Sequence, residues 1–213
     1  MGSGPRPTTG DGPERMSASV HKLMLGLSRL MAILGGIVLS LLVLITCVSI
    51  LGRLLNGVFH GDVMTGLAPG FSEWMIELGV GPVNGDFELV EAGIAFAIFA
   101  FLPLCQITAG HASVDIFANL FPRWLDRTLR AVTEVVFAAV LILIAWRLAD
   151  GMASKLRYGE TTFLLQFPIW WAYAASLAGA TVAALVGVYM AVLRVIALFS
   201  GRDPVEDGAE GEA

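Results

Sequence analysis

Charge is scarce in this sequence. Only 15% of its 213 residues are Asp, Glu, Lys or Arg, against about 25% in an ordinary soluble domain. That deficit, with 56% hydrophobic residues and a mean hydropathy of +0.77, argues against a soluble globule and against disordered or collagen-like chains. Basic residues are outnumbered 13 to 18, for a net charge of −5. The electrostatic footprint of a nucleic-acid binder is therefore missing. Cysteine is nearly absent too. Cys47 and Cys105 lie far apart in apolar stretches and form no C-x-x-C pair. They exclude a disulfide scaffold or zinc site and read as small buried hydrophobes. Of the three histidines, His21, His60 and His111, only His111 borders a long apolar run. A membrane haem with two histidine ligands cannot be built from this chain alone. G-x-S-x-G, P-loop, H-E-x-x-H and G-x-G-x-x-G motifs are all missing, so neither catalysis nor a cofactor is expected.

What is present is a set of apolar runs. Leu30–Gly52 has 23 residues without a charge, Ala92–Gly110 has 19, and Thr161–Leu193 has 33. Ala131–Trp146 has 16 residues with one charge, Glu134. A bilayer span needs about 20 apolar residues. The fold class is an all-α integral membrane protein with four transmembrane helices, near 28–53, 89–110, 127–150 and 169–194. The third reaches full length only by including Arg127, Arg130 and Arg147, whose long stems can snorkel to the headgroups. The first run is longer than the roughly 7–15 residues of a signal-peptide core, and no A-x-A site follows it. The string before Cys47 is not a lipoprotein box, because Thr46 is too bulky. The segment is read as a retained helix.

Residues 1–20 are rich in Gly, Pro, Ser and Thr and read as a disordered tail. His21–Arg29 reads as an amphipathic lead-in to the first span, at the start of a membrane domain over 21–198. Residues 199–213 form an acidic, disordered tail. Lys and Arg favour cytoplasmic loops. With the N-terminus inside, nine basic residues fall on the inner side and four on the outer, so both termini are read as cytoplasmic. The first outer loop, 54–86, is punctuated by Pro69-Gly70 and Gly81-Pro82. Between them Phe71, Trp74, Met75 and Leu78 recur at i, i+3, i+4 and i+7, with Glu73 and Glu77 on another face. That spacing predicts a short amphipathic helix in the loop.

Several side chains are candidates for structural or partner contacts. Glu88 and Glu91 share a helix face at the outer end of the second span. Glu88 reads as an interfacial acid in water. Glu91 is followed at once by an apolar run and is the better candidate for a costly acid at membrane depth, with Arg53 as its partner. Pro103 lies inside the second span, where it removes a backbone bond, and Gln106 follows as an interhelical hydrogen-bonding group. His111 and Asp115 are four apart and read as a structural pair at the membrane edge; two ligands make no metal site. Pro168 opens the fourth helix comfortably, and Trp170, Trp171 and Tyr173 read as part of an interfacial aromatic belt. Gly179, Ala183 and Gly187 step by four, as do Ala172, Ser176, Ala180 and Ala184. Such rows let another helix approach closely; core packing within this bundle is one reading, and docking onto a separate membrane subunit is the other and the favoured one.

Taken together, the four spans, E-x-x-E-A at Glu88–Ala92, H-A-S-V-D at 111–115 and F-P-I-W-W-A-Y at Phe167–Tyr173 resemble a known family. It is the small membrane subunit of tripartite ATP-independent periplasmic (TRAP) transporters, the DctQ-like proteins. The resemblance covers roughly residues 25–198; the 54–86 loop is longer than the family's compact pattern. It implies a subunit without catalysis, in the bacterial inner membrane, bracing a large multi-span permease subunit that moves substrate by an elevator-like motion driven by sodium. It also implies a periplasmic substrate-binding protein that delivers an organic acid with a carboxylate. The alternative is a non-catalytic anchor or assembly subunit of a membrane enzyme complex.

Overall fold

The structure is a computed structural model that describes residues 11–67, 69–108 and 123–200. Its helices are α1 (Asp11–Phe59), α2 (Asp62–Leu67), α3 (Pro69–Glu77), α4 (Asp86–Ile107), α5 (Arg123–Tyr158) and α6 (Trp170–Ser200). Helices α1, α4, α5 and α6 are long and apolar enough to cross a bilayer.

The spans sit where the apolar runs place them, but the helices are longer. α4 has 22 residues, about 33 Å, which matches a hydrocarbon core of roughly 30 Å. α1 has 49 residues, about 73 Å. It starts at Asp11, inside the stretch read as a tail. α5 runs to Tyr158 rather than 150, and α6 to Ser200 rather than 194. The reason is that hydropathy marks where water begins, not where backbone hydrogen bonding stops. No proline lies between Pro13 and Pro69, nor between Pro122 and Pro168, so nothing breaks the helices at the membrane edge. α5 instead ends before Gly159, at φ 61°, a left-handed position that suits glycine just past a helix. In the 54–86 loop, α3 covers the amphipathic stretch. Phe71, Trp74 and Leu78 of its stripe remain exposed, and Phe71 stacks edge-on against Phe59 of α1 at 6.0 Å.

The spans form an open row rather than a closed bundle. Their seams join α1 to α4, α4 to α6, and α6 to α5. Small residues make each seam close. A Cβ on Gly35 of α1 would lie 2.9 Å from the Ala100 Cβ of α4, and one on Gly151 of α5 would lie 2.7 Å from the Tyr173 ring of α6. α6 is central: 44% of its most apolar stretch is buried, against 11% for α1 and 17% for α5.

The small-residue rows of α6 are consumed by these seams. Gly179 faces Phe99 and Ala100, and Gly187 faces Gln106 and Leu141. Ala180 and Ala183 are fully buried. The expectation that the Gly179–Ala183–Gly187 strip docks a separate subunit is therefore corrected: it is the inner face of this chain's own row. Gly179 lands on the turn that carries the Phe99 carbonyl, the acceptor to which Pro103, having no N–H, cannot donate. Cys47 is corrected as well. It is exposed on α1, among the leucines and isoleucines of its outer surface.

Candidate functional site

Polar chemistry concentrates at the end of the row where α1 and α5 finish and α4 and α6 begin. The α5–α6 loop is a tight hairpin there. Thr162 N–H donates to the Phe167 carbonyl and Ile169 N–H to the Glu160 carbonyl, both at 3.0 Å. Thr161 and Pro168 face each other as an antiparallel bridge. Gln166 turns the hairpin with a positive φ of 56°, and its side-chain amide donates to the Phe163 carbonyl at 2.8 Å. Lys155 pairs with Glu160 at 2.6 Å and ties the start of the loop to α5.

Glu88 holds this hairpin down. Its carboxylate accepts the Leu164 N–H at 2.7 Å on one oxygen and the Leu165 N–H at 3.0 Å on the other. Glu88 is 6% exposed. A buried carboxylate is tolerated when both oxygens accept hydrogen bonds, because those bonds replace lost water. Gly85, with φ 78°, caps the start of α4, and a side chain there would strike Leu165. Both glycine properties are needed at this one position, the left-handed backbone and the missing Cβ.

A second clamp fastens the loop before α4 to α1. The Asn56 amide donates to the Val80 carbonyl at 3.0 Å, and Val83 N–H donates to the Ser49 hydroxyl at 3.2 Å. Gly52 lies flat on the Gly81 backbone, so a Cβ at 52 would overlap the Gly81 carbonyl. The Asp86 carboxylate faces Ser49 and Arg53 and accepts the Phe87 N–H at 2.8 Å.

Beneath the hairpin lies a cavity of about 480 Å³ between α4, α5 and α6, lined by Glu91, Ala95, Thr161, Phe163, Tyr173 and Ser176 among others. A groove of about 530 Å³, walled by apolar residues of α1, α4 and α6, lies beside it and shares Ala92, Phe167 and Ala172.

The family described as tripartite ATP-independent periplasmic transporters, DctQ component, matches residues 42–197, most of the chain. The chain belongs to the DctQ family. Searches for similar curated proteins and for similar solved structures found no match.

The DctQ membership makes the chain the small permease component of a TRAP transporter, a membrane protein and part of a transport system. Within this DctQ chain most of the residues singled out from sequence fall into three groups. Glu88, Glu91, Pro168, Trp170 and Tyr173 converge on the clamped end, around the hairpin and cavity. Pro103, Gly179, Ala183 and Gly187 lie in the seams. His111 and Asp115 lie outside the described residues.

The two acids exchange their expected roles. Glu88, read as an acid in water, is buried and clamps the hairpin. Glu91 is exposed and lines the cavity. No ion pair joins Glu91 to Arg53 among the described residues, and the acid that Arg53 faces is Asp86. Ser49, Gly52, Asn56, Gly85 and Gln166 were not singled out at all. The turn signals Pro69-Gly70 and Gly81-Pro82 placed the loop. Nothing local announces that Glu88 meets Leu164, 76 residues away.

Proposed function

We propose that this DctQ subunit is non-catalytic and braces a large multi-span permease subunit in the bacterial inner membrane. Transport by the pair is driven by sodium and fed by a periplasmic binding protein carrying an organic acid. Membership of the DctQ family over residues 42–197 carries this reading. The open row supports it: the edge helices α1 and α5 keep most of their apolar surface uncovered by this chain, which leaves broad flanks for a second membrane subunit. Those flanks, rather than the buried strip of α6, are the docking surface. The termini and the Gln106 end face the cytoplasm, where nine of 13 basic residues gather. The clamped end and α3 face the periplasm, where a fixed surface suits contact with the binding protein.

The test is reconstitution. Co-expressed with the large permease, the chain is expected to co-purify with it. Uptake into liposomes should require both chains, the binding protein and an inward sodium gradient. Transport by this chain alone, or its isolation with a membrane enzyme instead, overturns the reading. Orientation is checked separately, in a background lacking Cys47 and Cys105. A cysteine at Gly61 should react with an impermeant thiol reagent on intact cells, and one at Ser200 should not. The reverse pattern inverts the topology.

A further inference from the structure

Glu91 poses a problem that the bracing role does not solve. Its carboxylate lines an apolar cavity at the mouth of a span, and it has no ion pair among the described residues. A carboxylate on the wall of a mostly apolar cavity is complementary to a cation. The cavity follows α4 from Phe87 to Ala95, about 12 Å along the helix. Its upper rim carries Glu91, Tyr173 and the Thr161–Thr162 strand. Ala92, Ala95, Leu148 and Ala172 supply apolar wall, and Ser176 lies furthest along α6. Tyr173 belongs to the aromatic start of α6, with Trp170 and Trp171, a composition that suits the headgroup level. Lys155 lies within electrostatic reach of Tyr173. Only one of its three N–H groups is taken up by Glu160. An acid and a hydroxyl thus line a mostly apolar cavity, with a cation within reach of the hydroxyl.

We propose that this cavity binds an aminophospholipid, its primary ammonium at Glu91, its phosphate toward Tyr173 and Lys155, and its apolar part along α4 and α6. The arrangement is complementary to a zwitterion whose ammonium can donate hydrogen bonds. A quaternary ammonium has no N–H to give a carboxylate, and an anionic headgroup without an amine would face Glu91 and Glu88 with like charge. A small soluble amine would leave the apolar part of the cavity empty. The proposal concerns this chain by itself and does not depend on the transporter reading.

The experiment uses the full-length chain in detergent, relipidated with phosphatidylethanolamine, phosphatidylcholine or phosphatidylglycerol. Bound lipid per chain is measured by native mass spectrometry, and thermal stability is measured alongside. Phosphatidylethanolamine should be retained after delipidating washes and should raise the melting temperature above the level reached with the other two lipids. Glu91→Gln, at an exposed position, should keep the lipid-free stability and lose roughly tenfold in phosphatidylethanolamine retention, the size of one charge-assisted hydrogen bond. Ala95→Leu, which narrows the cavity without touching the rim, should lower retention of that lipid too. Equal retention of all three lipids, or an unchanged preference in Glu91→Gln, overturns the proposal. So does free ethanolamine stabilising the chain as well as the lipid does, because the site would then be one for soluble amines. If Glu91→Gln instead weakens co-purification with the large permease and leaves bound lipid unchanged, the cation is a basic side chain of that partner, and the lipid assignment is wrong.

Discussion

At one end of the row a buried carboxylate accepts two backbone N–H groups from a hairpin 76 residues away. At the other, Gln106 is fully buried, and among the described residues neither atom of its amide has a hydrogen-bond partner. Around Gln106 the row is held by apolar packing: Ile107, Val186 and Met190 form a buried cluster with Met24 and Leu25 of α1 laid over it. His21 and Tyr189 make a polar contact there at 3.2 Å. The comparison teaches that a polar side chain in a membrane protein is judged by what it finds there. Glu88 supplies acceptors to loop donors. Gln106 brings a desolvation cost of the kind that unbonded amides carry. Glu88 is held by directed bonds, and Gln106 by the shape of its surroundings.

Mutations can break or sharpen that contrast. The largest expected effect is at Gly52, where any side chain overlaps the Gly81 backbone. Gly52→Leu should destabilise by about 3 kcal/mol or more, read as a fall of roughly 6–12 °C in the melting temperature of the purified chain. Gly179→Leu tests the seams in the same assay. It should cost about 2–3 kcal/mol, because a Cβ there already comes within 3.0 Å of Phe99. Unchanged monomer stability with lost partner binding would return the strip to an external role. Next is Glu88→Ala, which orphans two loop donors. A drop on the order of 5 °C is expected, with faster proteolysis between 159 and 169. Glu88→Gln, with a single acceptor oxygen, should recover part of it. The smallest effect has the opposite sign: Gln106→Met removes the unbonded amide at similar volume and should raise stability by about 1 kcal/mol, or roughly 2–4 °C. A loss there would mean that Gln106 has a partner after all, and the contrast between the ends would collapse.

The existence and order of the spans were legible because hydropathy depends on each residue's own chemistry. The amphipathic helix after Pro69 was legible for the same reason, through its 3.6-residue period. What failed was everything that depends on a distant neighbour. Glu88 and Glu91 have the same side chain and sit three residues apart. Only the arrival of Leu164 and Leu165 makes one a clamp and leaves the other facing a cavity. The row of small residues on α6 signalled close approach correctly and left the partner open, because a glycine records that something is near but not what. Helix ends ran past the apolar runs, since a helix in water needs a breaker to stop, and α1 and α5 meet none at the membrane edge.

The order of the helices in space also has a consequence in time. Along the row the sequence of neighbours is α1, α4, α6, α5, whereas the ribosome delivers α1, α4, α5, α6. The third span to be made therefore has no seam waiting for it. At about 5–20 residues per second, α6 is completed roughly 2–8 seconds after α5 emerges. During that interval α5, with arginines near both ends, must be held by the insertion machinery or by lipid alone. The last helix synthesised is the wedge that seats it.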